Sequence, residues 1–124
     1  MGGAGDGAAW TGFVSPLLKA FDGVRATMLS GFPPVRGPLK LVGRGGPLTA
    51  VKFGTLLPRS VVSLGRSLFQ DGGARAWLYG AALHGDTPPG SAGSAIAATY
   101  LNVLGHAVGW PSPRGGAGRL TDAL

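Results

Sequence analysis

Glycine and proline interrupt this sequence so often that no regular element can run far. Gly 24 and Pro 10 together make up more than a quarter of the 124 residues. Inside a helix a glycine costs about 1 kcal/mol relative to alanine, and a proline about 3 kcal/mol. Such a composition falls in the range of loop-rich or low-complexity chains. Here, however, the glycines are interleaved with Leu, Val, Phe and Trp, which flexible linkers lack. The hydrophobic fraction of 44% and mean hydropathy of +0.25 supply enough apolar side chain for a core. The expected fold class is therefore mainly α: short helices joined by Gly/Pro turns, within one domain's length. No apolar/polar alternation marks a strand, and the one extended stretch expected is Ala107–Pro111.

Spacing and punctuation place the helices. Asp6 is expected to cap a helix starting near Gly7, with Trp10, Val14, Leu17, Phe21, Val24 and Met28 on one stripe. Pro16 predicts a kink or restart, because it lacks an N–H and its ring clashes with the preceding turn. The helix is expected to end by Ser30-Gly31, with FPPVRGP (32–38) as an extended connector. GRGGP (43–47) predicts a break, Pro47 then opening a helix with Leu48, Val51, Leu56 and Leu57 apolar. Pro58 is expected to open the next helix, through Gln70, carrying Val61, Val62, Leu64, Leu68 and Phe69. Asp71 should cap another, burying Ala74, Trp77, Leu78 and Ala81 or Ala82. After the loop HGDTPPG comes the longest apolar run, Ser91–Trp110, long enough to cross a bilayer. Asn102, His106 and the small polar residues Ser91, Ser94 and Thr99 favour instead a buried helix. The small residues Gly93, Ala97, Ser94 and Ala98 would let another backbone approach it closely.

Charge and residue inventory exclude several chemistries. Cys 0 removes disulfides and thiolate catalysis. The two His and five Asp are too scattered for a metal site. Lys+Arg 11 against Asp+Glu 5 gives a net charge of +6. Between Asp22 and Asp71 lie Arg25, Arg36, Lys40, Arg44, Lys52, Arg59 and Arg66 with no acid. That field could attract nucleic acid or anionic lipid, although a solvated basic face or one meeting an acidic partner is the plainer reading. MGGAGDGAAW has no signal-peptide pattern, and Asp6 breaks the myristoylation pattern, so a cytoplasmic location is expected.

Motif tests leave little catalytic apparatus. GWPSPRGGAGRL fails as a phosphate loop because Arg119-Leu120 stands where Lys-Ser/Thr is needed. It fails as a dinucleotide fingerprint because the third glycine is missing. On local sequence it is an ordinary loop leading into a helix. His84, before a Gly-Asp turn, is expected to satisfy that turn, and His106 to bond last-turn carbonyls. No nucleophile elbow or carboxylate pair is present. Trp10, Trp77 and Trp110 are too far apart in sequence to argue a stacking platform.

Residues 66–124 nevertheless resemble a known family. Arg66 to Phe69 has the form Arg-x-Leu-Phe, Ala74 to Leu78 the form Ala-Arg-Ala-x-Leu, and His84 stands in the following turn. Gly105 to Gly116 reads Gly-His-x-x-Gly-Trp-Pro-x-Pro-x-Gly-Gly, ahead of a helix from Leu120 to Leu124. This pattern resembles the middle of phytoene-desaturase-like, FAD-dependent oxidoreductases of the flavin amine oxidase superfamily; DGAAW and FPPVRGPLKL fit the same region less distinctively. The resemblance implies a helical substrate-domain segment (1–114) and the start of a return helix toward the FAD domain (115–124). The parent would be a two-domain α/β enzyme whose Rossmann-like part is not in this sequence. It implies Gly115 and Gly116 near FAD and His106 and Trp110 toward an apolar or amine substrate, with no catalytic residue and no metal. The implied partners are the remainder of the parent and that small molecule, with no specific nucleic acid; peripheral membrane contact is an expectation from the basic interval instead. The chain alone is not expected to hold FAD or turn over substrate. The alternative is a small basic helical protein that binds membrane surface or nucleic acid; a purely structural helical protein is the third reading.

Overall fold

The computed structural model describes residues 3–31 and 35–124. Among these residues seven helices follow one another: α1 (Ala4–Lys19), α2 (Phe21–Met28), α3 (Arg36–Gly54), α4 (Val61–Leu68), α5 (Gly72–Leu83), α6 (Ser94–Val108) and α7 (Gly118–Asp122). No strand occurs among the described residues, so the fold is mainly α. Ala107 and Val108, expected to be extended, belong to α6; only the residues after Gly109 leave the helix.

The proline effects fall close to where the sequence puts them. α1 continues through Pro16 to Lys19, and the chain restarts at Phe21 after Ala20, whose ψ of 21° is non-helical. The restart lies one turn beyond Pro16. The 43–47 break is present inside α3: Gly46 takes φ 78°, ψ 165°, a conformation open to glycine, and Pro47 starts the second half. The FPPVRGP connector is shorter than expected, because Arg36, Gly37 and Pro38 already form the first turn of α3. A proline in a first turn lacks only an N–H that would have had no partner there. Phe32, Pro33 and Pro34 lie outside the described residues.

Two helix starts differ from those the sequence suggests. Asp6 does not cap at Gly7; the helix begins at Ala4, and Asp6 lies buried in its first turn. Pro58 does not open α4; residues 55–58 form turns, and Ser60 caps the helix by accepting from the Ser63 N–H at 3.2 Å. Asp71 caps α5 as expected, accepting from the Ala74 N–H at 3.0 Å.

The core is built from Val14, Leu17, Ala20, Val24, Leu41, Phe53, Leu56, Val61, Leu64, Phe69, Leu78, Ala82, Ala95, Ile96, Ala98 and Val103. α6 is the buried helix, enclosing Ser94, Ala95, Ile96, Ala98, Thr99, Asn102 and Val103. No helix among the described residues is long and apolar enough to cross a membrane. The Ser94 hydroxyl ties its start to α4, accepting from the Val61 N–H at 2.8 Å and donating to backbone carbonyls of the 89–91 turn. The closest backbone approach is elsewhere, between α2 and α3: Gly23 abuts the Leu41 backbone, and Gly37 abuts Thr27 and Ser30. In the second half of α3 the apolar stripe does not face inward. Leu48 and Val51 are exposed, as is Leu57 beyond the helix, while Thr49, Phe53 and Leu56 are buried.

Candidate functional site

α5 and α6 pack side by side, and each turns one stripe toward a shared cleft. On α5 and its C-cap the stripe is Trp77, then Gly80, Ala81 and His84, three, four and seven residues further on. On α6 it is Leu101, Asn102, Gly105 and His106. Gly109, at φ 76°, ends α6 in a conformation open to glycine and turns the chain back. Trp110 then folds over the helix end, its indole against Gly105 in the space a Cβ would fill. The resulting cleft has a volume of about 450 Å³, within the range of small-molecule sites.

Trp10 of α1 braces this cleft from behind. Its Nε1–H donates to His106 Nε2 at 3.1 Å. In this pairing Nε2 is the acceptor, which leaves Nδ1 as the His106 nitrogen free to meet a ligand. The Trp10 and Trp77 rings meet edge to face at 5.0 Å between centroids, an arrangement worth about 0.5–1.5 kcal/mol beyond burial. Phe13 and Phe69 complete the cluster around Trp10 at 5.7 and 6.1 Å. A second hollow of about 410 Å³ lies on the other side of Trp77, lined by Asp6, Gly7, Trp10, Phe69, Gly73 and Ala74.

Asp6 fixes α1 to this region. Its carboxylate oxygens accept from the Gln70 and Asp71 N–H groups, each at 2.9 Å. The Gln70 amide first, then that of Asp71, hold the Asp6 carboxyl below its ordinary 3.8; partial burial opposes this, and the Arg75 charge adds to it.

Of the residues expected to form a site, His106 and Trp110 come together on the cleft. Gly115 and Gly116 do not join them. They form an exposed turn at φ 87° and 89°, with the Gly116 N–H bonded to the Pro113 carbonyl at 3.1 Å. α7 follows with no buried residue, and Arg119 pairs with Asp122 at 3.4 Å. Nothing around this turn encloses a flat ring system, and a Cβ on Gly116 would meet open space. Among the described residues, this turn supplies no enclosure of its own for a flavin. No group of His, Cys, Asp and Glu among the described residues could hold a metal.

Sequence reasoning missed three participants. Trp77 was expected in the core but is 48% exposed on the cleft wall. His84 was assigned to its turn but lines the cleft, so both imidazoles of the chain face one cavity. The Trp10–His106 contact spans 96 residues, and no local pattern encodes it. The tryptophans thus converge despite their separation: Trp10 touches Trp77, and Trp77 shares the cleft with Trp110. Comparison with known proteins identifies no matching family, curated protein or solved structure.

Proposed function

We propose that the α5–α6 cleft binds a flat or extended apolar small molecule, amines included, as the substrate side of a phytoene-desaturase-like oxidoreductase. The observation that carries this reading is the convergence of Trp77, His84, His106 and Trp110 on one cavity. Two indoles offer faces for a conjugated or aryl group, and two imidazoles offer nitrogens that can hydrogen-bond an amine or hydroxyl. The resemblance in residues 66–124 assigns His106 and Trp110 to the substrate. FAD, on this reading, is held by the remainder of the parent protein, and the chain contributes binding and orientation.

The test is a titration of intrinsic tryptophan fluorescence with retinol, a flat polyene, and with benzylamine. Saturable quenching is expected. Trp77→Ala should weaken it about tenfold, the loss of one stacked aromatic face. Gly105→Ala, whose Cβ would displace the Trp110 indole, should weaken it as well. Arg119→Gln, away from the cleft, should leave it unchanged. Quenching that does not saturate, or a Trp77→Ala affinity equal to that of the unaltered chain, would refute the proposal.

A further inference from the structure

The outward side of α3 carries an arrangement that the cleft does not explain. Its inward ridge is Gly37 and Leu41 in the first half and Thr49 and Phe53 in the second, each pair four residues apart and buried. Directly opposite in the first half stand Val35, Leu39 and Val42, with Leu39 66% exposed. The second half repeats this with Leu48 and Val51, 66% and 63% exposed. A helix packed on one side normally turns polar residues outward, so apolar side chains on both sides need a second partner.

Charge identifies that partner. Arg36, Lys40 and Arg44 recur every four residues and form one exposed row along the flank of the apolar stripe. Beyond the Gly46 break, Lys52 holds the matching register in the second half, three residues after Thr49 as Lys40 is three after Gly37. The sequence between Asp22 and Asp71 holds no acidic residue, and none of these four cations forms an ion pair among the described residues, where the pair present is Arg119–Asp122. Exposed aliphatic side chains beside long cationic ones match the boundary of an anionic bilayer: Leu and Val enter the acyl margin while Lys and Arg reach the headgroups. A nucleic acid would leave the aliphatic stripe unsatisfied, and α3's outward face carries no aromatic for base stacking. No described helix can span the bilayer, so the contact lies in the plane of the surface.

We propose that α3 docks the chain on an anionic membrane surface through Leu39, Val42, Leu48 and Val51, with Arg36, Lys40, Arg44 and Lys52 meeting the headgroups. The surface is independent of the α5–α6 cleft, so either proposal can fail alone. The test is co-sedimentation of the purified chain with vesicles of phosphatidylcholine alone and of phosphatidylcholine mixed equally with phosphatidylglycerol. Binding is expected only to the anionic vesicles and should fall steeply with salt. Each basic residue contributes about fivefold in affinity, so the triple change Arg36→Gln, Lys40→Gln, Arg44→Gln should weaken binding on the order of a hundredfold. Leu39→Ser with Val51→Ser should weaken it without altering the salt dependence. All these side chains are exposed, and circular dichroism checks that the variants keep their helices. Equal binding to both vesicle types, no binding at low salt, or full binding by the triple variant would overturn the proposal. So would self-association through this face that leaves no vesicle binding.

Discussion

The Asp6 carboxylate joins two elements more than sixty residues apart, since its oxygens accept from Gln70 and Asp71 just where α4 gives way to α5. Helix starts leave N–H groups without partners, and here a neighbouring helix supplies the acceptor. Asp6→Asn keeps one carbonyl acceptor and loses the charge, so the variant should melt at a lower temperature at neutral pH. The folded carboxyl titrates below its ordinary 3.8. Its stabilisation is therefore fully present above 3.8 and disappears as pH falls through the lower folded value. Thermal melts of both proteins from neutral pH downward should converge in that acid range. A gap that stays constant with pH would show that Asp6 does not act through its charge.

At the scale of elements, the α2–α3 pair depends on two missing side chains. Gly23→Ala would drive a methyl group into the Leu41 backbone, which cannot move aside as a flexible side chain could. This change should destabilise by about 1–3 kcal/mol, although alanine is the better helix former. Gly7→Ala, on an exposed turn of α1 with open space around it, should stabilise by about 0.5–1 kcal/mol. Urea unfolding of the two variants measures both, and equal effects would contradict the close packing of α2 on α3. These elements also mark what the sequence makes legible. The Gly46–Pro47 break and the Asp71 cap follow from rules that span one turn, and the burial of α6 from the composition of its own run. The start of α4 was missed because Pro58 and Ser60 are both competent starters, and the turn at 55–58 favoured the later one. The inward side of α3 is not legible for a different reason: apolar residues occupy both sides, and periodicity alone does not say which side meets α1 and α2.

For the whole molecule, the core ends at Val103, and residues from His106 onward are exposed apart from the half-buried Pro113. The cleft sits at this margin, where the buried bundle gives way to the exposed C-terminal stretch. Such a position suits a binding wall that a further domain could close, in line with the proposed parent enzyme. The sequence pointed to His106 and Trp110 through a family resemblance, but Trp77 and Trp10 reached the site only through tertiary packing. Gly115 and Gly116, singled out by the same resemblance, lie outside the cleft. One measurement separates the two locations: nuclear magnetic resonance of the nitrogen-labelled chain titrated with retinol. The indole signals of Trp77 and Trp110 and the imidazole signals of His84 and His106 should shift together, while the Gly115 and Gly116 amides stay in place. Shifts confined to the Gly115–Gly116 turn, or none at the four cleft side chains, would contradict the cleft as the binding site.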